Sequence, residues 1–422
     1  MRILMLTQFF YPPTVGGEER HAADLSRELA ARGHNVSVVT LWQKGYPEFE
    51  VSQGVGIHRV RSTMQRMSLL FSESDRPYAP PFPDPGITRA LRRILLKEQP
   101  DIVHAHNWMV HSFTPLKAWS QAKLVVSLHD YSLVCVQKRL MRHGVCCTGP
   151  GLLKCLECGT QFYGVVKGPA STIANFYWGE RERRAVDMFL PVSQAVVEGD
   201  QLDTYDVPYR IVPNFMPEVK ETAHNETGRF LAQLPQGDFM LFVGDVTADK
   251  GAEVLLAAYT EMDTRVPLVF IGRPFLAVGA EHLPLNVFML GRWPHDAVME
   301  AWQRCLFGLV PSIAAETFGI VALEAMSTGK PVIAARSGGL PDVVIDGETG
   351  VLVPPGEVLA LRQAMQGLLD DRERREHMGA KAKERAATFR ATTVVSHVEE
   401  VYQELLGGRS TEMRPLAGAG SR

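Results

Sequence analysis

Residues 306–335 read LFGLVPSIAAETFGIVALEAMSTGKPVIAA. The run opens with an apolar strand-like stretch, Leu306–Pro311, and closes with another, Pro331–Ala335. Between them Ile320, Leu323, Ala325 and Met326 recur at helical spacing, and Gly329 stands where a helix C-terminus favours glycine. The segment therefore predicts strand, loop, helix, strand. Glu316 falls in the loop and Glu324 inside the helix, with Thr317, Phe318 and Gly319 between the first acid and the apolar run. Open α/β sheets bind ligands at the carboxyl ends of their strands, where the N–H groups of a helix start favour anions. Two acids beside such a place suit a ligand carrying both hydroxyls and phosphates, although an N-terminal acid and a solvated helical Glu would look the same in isolation.

Outward from this segment the chain repeats the same rhythm twice. Arg2–Phe9 is a strand, Tyr11–Gly17 a loop ending in Gly16–Gly17, Glu18–Arg32 an amphipathic helix and Val36–Thr40 a second strand. Ile57–Arg61, Asp101–His106 and Lys123–Asp130 follow as strands, the last two ending in histidines, with His129–Asp130 the sharper pair. The proline-rich stretch 64–86 reads as a long irregular loop, with a helix near Thr88–Lys97 after it. A cysteine-bearing segment interrupts the pattern. Ser171–Arg184 reads as a helix whose Phe176, Tyr177, Trp178 and arginines suit an anionic membrane surface as well as an ordinary charged end. The second series starts at Met240–Asp245, continues through Leu268–Gly272 and contains the opening segment. Expected domains are 1–215, with a cysteine insertion at 131–168, a polar linker at 216–236, and 237–391. A final helix at 392–407 is expected to pack back on the first domain, and 408–422 to be a disordered tail.

The 422 residues exceed one ordinary domain, and 45% apolar content supports sizeable cores. A net charge of -3 gives no case for nucleic acid. Neither a cleavable signal pattern nor an apolar run of membrane-span length is read, which gives the expectation of a cytoplasmic protein with room for peripheral membrane contact. Cys155 and Cys158 have the spacing of a zinc knuckle. Cys135 with Cys146 or Cys147 would complete four thiolates, so Cys135, Cys147, Cys155 and Cys158 form a candidate structural zinc set, with free thiols in a surface loop as the alternative.

The run PSIAAETFGIVALEAMSTGKPVIAARSGGLPDVVIDGETGVLVPPG, Pro311–Gly356, resembles the E-x7-E segment and following glycine-pair loop of GT-B glycosyltransferases of family 4, the retaining, nucleotide-sugar-dependent group. Gly16–Gly17, DIVHAH, SLHDY at Ser127–Tyr131, VPN at Val212–Asn214 and VGDVTADKG at Val243–Gly251 support it. The cysteine segment is similar to that of a subset of the family. The resemblance covers Arg2 to about Leu406 and implies two Rossmann-like α/β domains facing across a cleft.

It further implies roles for named residues. Glu324 would accept from the donor's ribose hydroxyls and Glu316 from the transferred sugar. The N–H groups of Phe318, Gly319 and Ile320 would face sugar and phosphate, and Gly16 or Gly17 the diphosphate. His129 would lie near the sugar, and Lys250 would neutralise the leaving diphosphate. His129, Glu316 and Lys250 are thus the catalytic candidates, with no cofactor required for catalysis. Asp245 departs from the family, which usually carries Arg there; Arg273, after the next strand, is expected to supply the missing cation. Asn214–Phe215 stands where the family commonly has Asn–Gly. The implied partners are a nucleotide-diphosphate sugar and a glycan or lipid-linked acceptor. A nucleotide-sugar epimerase on the same fold, or a donor-binding scaffold without turnover, are the alternatives.

Overall fold

The computed structural model describes residues 1–12, 16–66, 79–216, 227–273 and 283–407. The chain divides into two compact units: Met1–Leu140 with Thr148–Phe215 and the segment from Ala391 onward, and Met141–Cys147 with Met216–Arg390.

In the first unit seven strands form one sheet: β1 (Arg2–Leu6), β2 (Asn35–Leu41), β3 (Phe49–Ser52), β4 (Val55–Val60), β5 (Ile102–Ala105) and β6 (Lys123–Leu128), with β9 (Met188–Pro191). The short hairpin β7 (Met141–Arg142) and β8 (Val145–Cys146) is separate. The sheet order is β3-β4-β2-β1-β5-β6-β9, parallel except for β3 against β4. Order reverses direction at β1 and β5, and such a switch point opens a crevice beyond the strand ends. Near-continuous apolar strands follow from burial on both faces. Ile3, Met5, Val36 and Val38 share one core with Leu25 and Leu29 of the helix Gly17–Ala31 and with Val394, Val398 and Tyr402 of the terminal helix Ala391–Leu405.

The second unit carries β10 (Met240–Val243), β11 (Leu268–Ile271), β12 (Val287–Met289), β13 (Gly308–Val310), β14 (Val332–Ala335) and β15 (Gly350–Val353). Their order is β12-β11-β10-β13-β14-β15, all parallel, with the switch point at β10 and β13. Phe242, Phe270, Leu309 and Ile333 meet Leu255, Leu361 and Met365 of the covering helices in one core.

Three expectations change. The helix placed near Thr88–Lys97 spans Pro85–Glu98, because the Asp84 carboxylate accepts from the N–H groups of Gly86 and Ile87 and caps it earlier. The cysteine segment 131–168 turns helical at Leu152: one helical stretch spans Leu152–Ala185, broken at Gly164 with φ 85, and takes in the helix expected at Ser171–Arg184. Within the expected linker Thr227–Leu231 is helical, while 217–226 lies outside the described residues, as do most of the proline-rich loop and the tail.

Candidate active site

The carboxyl ends of β10 and β13 bring the acids, the cation and a helix start together. After β13 the loop Ser312–Glu316 carries Glu316, which the side chains on either side lock in place. Lys250 Nζ donates to Glu316 Oε1 at 2.6 Å and Ser312 Oγ donates to the same oxygen at 2.6 Å. Burial works to raise this carboxyl, but the Lys250 charge and the hydrogen bonds from Lys250 and Ser312 outweigh it and hold it below the ordinary carboxylate value. Glu316 is therefore ionised at neutral pH, an acceptor-only group suited to hydroxyls.

The backbone around the pair is stitched just as closely. The N–H groups of Ile313 and Ala314 donate to the Asp249 carbonyl at 2.9 and 3.0 Å, tying the Lys250 turn to the Glu316 loop. Gly251 has φ 75, and a Cβ there would lie 2.0 Å from the Pro311 carbonyl oxygen. On the other side Gly339 N–H donates to Glu316 O at 2.6 Å and Ser337 Oγ to Ala314 O at 2.9 Å. The Ser337–Gly339 loop thus clamps the acid from behind.

Gly319, with φ 92, caps the helix Ile320–Ser327. Its positive φ turns the chain so that Phe318 is buried against Phe389, ring centroids 5.7 Å apart, while the first turn presents its N–H groups. Glu324 lies one turn in, 4% exposed, and pairs at 2.9 Å with His295 Nε2. Asp245 and Arg273 follow β10 and β11 and form a two-point pair, Nε to Oδ1 at 3.1 Å and Nη2 to Oδ2 at 2.8 Å. A Cβ at Gly272 would strike the Gly244 carbonyl oxygen at 1.7 Å, so the strand ends approach closely enough to make that pair.

The first unit has its own cluster at the ends of β1, β5 and β6. His106 Nδ1 and His129 Nε2 share a hydrogen bond at 3.0 Å, with His21 packed edge-on to His129 at 4.9 Å. His104 completes the column, bonded to Tyr402 and Ser127. Burial lowers His129 to about 4, with Asp130 and Asn214 opposing it, and His104 to about 3; His106 and His21 lie well below the ordinary value. His129 is thus neutral, a hydrogen-bonding group rather than a standing cation. Gly16 and Gly17 open the helix beside this cluster, Gly16 in extended conformation as its N-cap. Asn107 Oδ1 accepts from Met109 N–H, which turns its amide to donate to Glu18 Oε1 at 2.6 Å. Burial, then the neighbouring Glu19 charge, pushes the Glu18 carboxyl up to about 8. Lys138, from the cysteine segment, pairs with Asp130 at 3.3 Å over the Trp108 ring.

Glu18, Asn107, Lys138, His21, Ser312 and His295 were not among the sequence candidates. His295 opens a helix in the run Trp293–Pro294–His295–Asp296, and Asn107 directly follows a strand-terminal histidine, which are the signals available for them. The thiols are not gathered as a zinc site requires: among the described residues no three His, Cys, Asp or Glu side chains are placed to hold a metal. None of the six cysteines is in a disulfide. Gln137 donates to Cys158 Sγ at 2.8 Å, Gly151 N–H approaches Cys155 Sγ at 3.4 Å, and Cys146 lies 3.7 Å from the Ile313 carbonyl. Burial raises the Cys135 thiol.

The profile described as glycosyl transferases group 1 matches residues 229–385, and that described as Glycosyltransferase Family 4 matches residues 15–217. The chain belongs to the family 4 glycosyltransferases of GT-B fold. This glycosyltransferase is similar to the D-inositol 3-phosphate glycosyltransferase of Corynebacterium diphtheriae, 39% identical over 178 residues, 39% of this chain and 42% of that protein. The match thus spans less than half of that relative's length. The glycogen synthase of Mycobacterium tuberculosis is 26% identical over 98% of this chain and 97% of its own. Among solved structures, Anabaena HepE in complex with UDP-glucose aligns with a TM-score of 0.66 at 17% identity, covering 95% of this chain and 99% of that one. That likeness carries the fold, two Rossmann-like domains. No helix among the described residues of the glycosyltransferase is long and apolar enough to cross a membrane.

Proposed function

We propose that this glycosyltransferase moves a hexose or N-acetylhexosamine from a nucleotide diphosphate to a glycan or lipid-linked acceptor with retention of configuration. One observation carries the reading: Lys250, Ser312 and Glu316 converge at the start of the Gly319-capped helix, with Glu324 buried one turn further on. An ionised acid held beside a cation suits a sugar hydroxyl next to a phosphate, and a second acid along the helix suits the ribose hydroxyls. The named complex of Anabaena HepE with UDP-glucose supports a nucleotide-sugar donor.

Glycosyl transfer needs a departing diphosphate to be stabilised as the sugar carbon becomes oxocarbenium-like. Lys250 and the N–H groups of Phe318, Gly319 and Ile320 are assigned to the diphosphate. Glu316, tied up by two hydrogen bonds, is assigned to hold the sugar rather than to attack it, so the incoming hydroxyl enters on the leaving-group face. His129, neutral by burial, is assigned to a sugar hydroxyl. The Arg273 guanidinium pairs with Asp245, so that acid does not stand uncompensated at the strand edge.

The test is product analysis by NMR after incubation with UDP-, GDP- and ADP-sugars and a panel of glycan and lipid-linked acceptors in the presence of EDTA. The reading expects transfer with the donor's anomeric configuration kept. An inverted product, or donor binding without turnover across the panel, contradicts it.

A further inference from the structure

The cysteine segment folds into two helical arms, and they leave apolar side chains on the outside. The arms meet at Gly164, and their mutual contact is made by small groups. A Cβ at Gly168 would lie 2.3 Å from the Gly159 carbonyl oxygen, and one at Gly159 would lie 2.4 Å from Thr172 Oγ1. Thr172 Oγ1 donates to the Gly168 carbonyl at 2.8 Å. The pair is fixed to the first unit by Tyr163 OH donating to the Val136 carbonyl at 3.1 Å and by Gly179 packing on the Leu133 carbonyl.

Packing through Gly159, Gly168 and Thr172 leaves large apolar side chains of both arms on the outside. At the bend Val165 and Val166 are 79% and 80% exposed, and Phe162 beside them is 48% exposed. Ile173 and Tyr177 continue on the second arm at the i+7 and i+11 positions from Val166, one stripe of a helix, and are 56% and 52% exposed. Soluble surfaces scatter such residues singly; a contiguous set marks an interaction face.

The charge around the stripe selects the partner. Residues 152–185 hold five basic side chains, Lys154, Lys167, Arg181, Arg183 and Arg184, against the acids Glu157, Glu180 and Glu182. Glu182 and Arg183 are turned inward, Arg183 over the Tyr205 ring, and Glu180 is paired with Arg183 and Arg184, which leaves Lys154, Lys167, Arg181 and Arg184 as the basic groups at the surface. Lys167 directly follows the exposed valines, and Arg181 lies 3.6 Å over the Tyr177 ring. Apolar tip, aromatic flank and basic rim are the order of groups met on crossing from acyl chains to anionic headgroups.

We propose that the helical pair Leu152–Ala185 docks this enzyme on an anionic phospholipid surface, with Phe162, Val165 and Val166 entering the headgroup–acyl boundary. None of these side chains is a donor candidate, so the proposal stands whether or not the donor reading does. The test is flotation of the full chain with vesicles of phosphatidylcholine and phosphatidylglycerol in equal parts, and with phosphatidylcholine alone. Co-flotation is expected with the anionic vesicles at low salt and falls as salt rises. V165E/V166E should reduce it about tenfold or more, and K167E by less, with circular dichroism unchanged because all three positions are exposed. Failure of the parent to float with anionic vesicles overturns the proposal. So does a V165E/V166E variant that floats like the parent, or self-association, without vesicle binding, that this variant abolishes; the last outcome assigns the face to a second copy of the chain.

Discussion

At the scale of single residues, the most informative pair is Asp245 and Arg273. An acid at the end of β10 would repel a diphosphate at that strand edge, and Asp245 stands where the resembled family usually carries Arg. Arg273 was the proposed remedy, and the two-point ion pair is how these residues meet. The pair is nearly two-fifths exposed on both sides, so its own contribution to stability is small. Its effect on an anionic ligand is larger, because removing the guanidinium leaves the carboxylate uncompensated. Arg273→Ala is expected to weaken donor affinity about tenfold, the lower end for a charge-assisted contact at a partly solvated site. Asp245→Ala combined with Arg273→Ala should recover most of that loss, which a double-mutant cycle by calorimetry would read as coupling. Parent-like donor affinity in Arg273→Ala would remove both residues from the account.

At the scale of elements, the strand–loop–helix holding Glu316 and Glu324 depends on a second loop that is distant in sequence. Gly338 has φ 56, and a Cβ there would lie 2.0 Å from the Glu316 carbonyl oxygen. Gly338→Ala therefore meets both a left-handed backbone and a backbone clash. It should cost about 2 kcal/mol or more in stability and move Glu316 away from Lys250. Thermal melting with a donor titration checks this: a lowered Tm together with weakened donor binding is expected, and an unchanged Tm contradicts the clamp. The strands, the helix Ile320–Ser327 and the two acids were legible because periodicity and glycine placement are local signals. The clamp was not, since Gly339 donating to Glu316 joins residues whose proximity comes only from β13 lying beside β14. The helical form of the cysteine segment was missed for a related reason. Cysteine spacing drew attention to metal chemistry, whereas the run Leu152–Tyr163 has no proline and only Gly159 against a helix, and the thiols behave there as small apolar side chains. His295 on Glu324 and Asn107 on Glu18 were likewise hidden, because each depends on contacts between segments far apart in the chain.

At the scale of the whole molecule, both units are doubly wound sheets with chemistry-bearing residues gathered at the switch point, and the first carries an unusual load of buried titratable groups. Their signs set a pH optimum. His21, His104, His106, His111 and His129 are lowered by burial from an ordinary 6.5, so below that pH the unfolded chain binds more protons and stability falls with acid. Glu18, Glu19, Glu182 and Asp200 run the other way. Burial raises all four, Glu18 and Glu182 from 4.5 to about 8, so the native chain keeps protons that the unfolded chain has released, and stability falls as pH rises through that window. Between 4.5 and 6.5 the histidines are the more numerous set, and above 6.5 the acids act alone. The first unit should be most stable at about pH 6.5, with a lower Tm at both pH 5.5 and pH 8; a Tm that climbs steadily to pH 8 would show that the acids are not held protonated.

The central claim is that the Lys250, Glu316 and Glu324 constellation is a nucleotide-sugar site, and calorimetric titration of UDP-, GDP- and ADP-sugars into the parent protein and Glu324→Gln tests it most directly. The account predicts that one of these donors binds the parent, and that Glu324→Gln binds the same donor about tenfold more weakly through loss of a charged acceptor. Absence of binding by every donor, or equal affinity in the parent and Glu324→Gln, would contradict it.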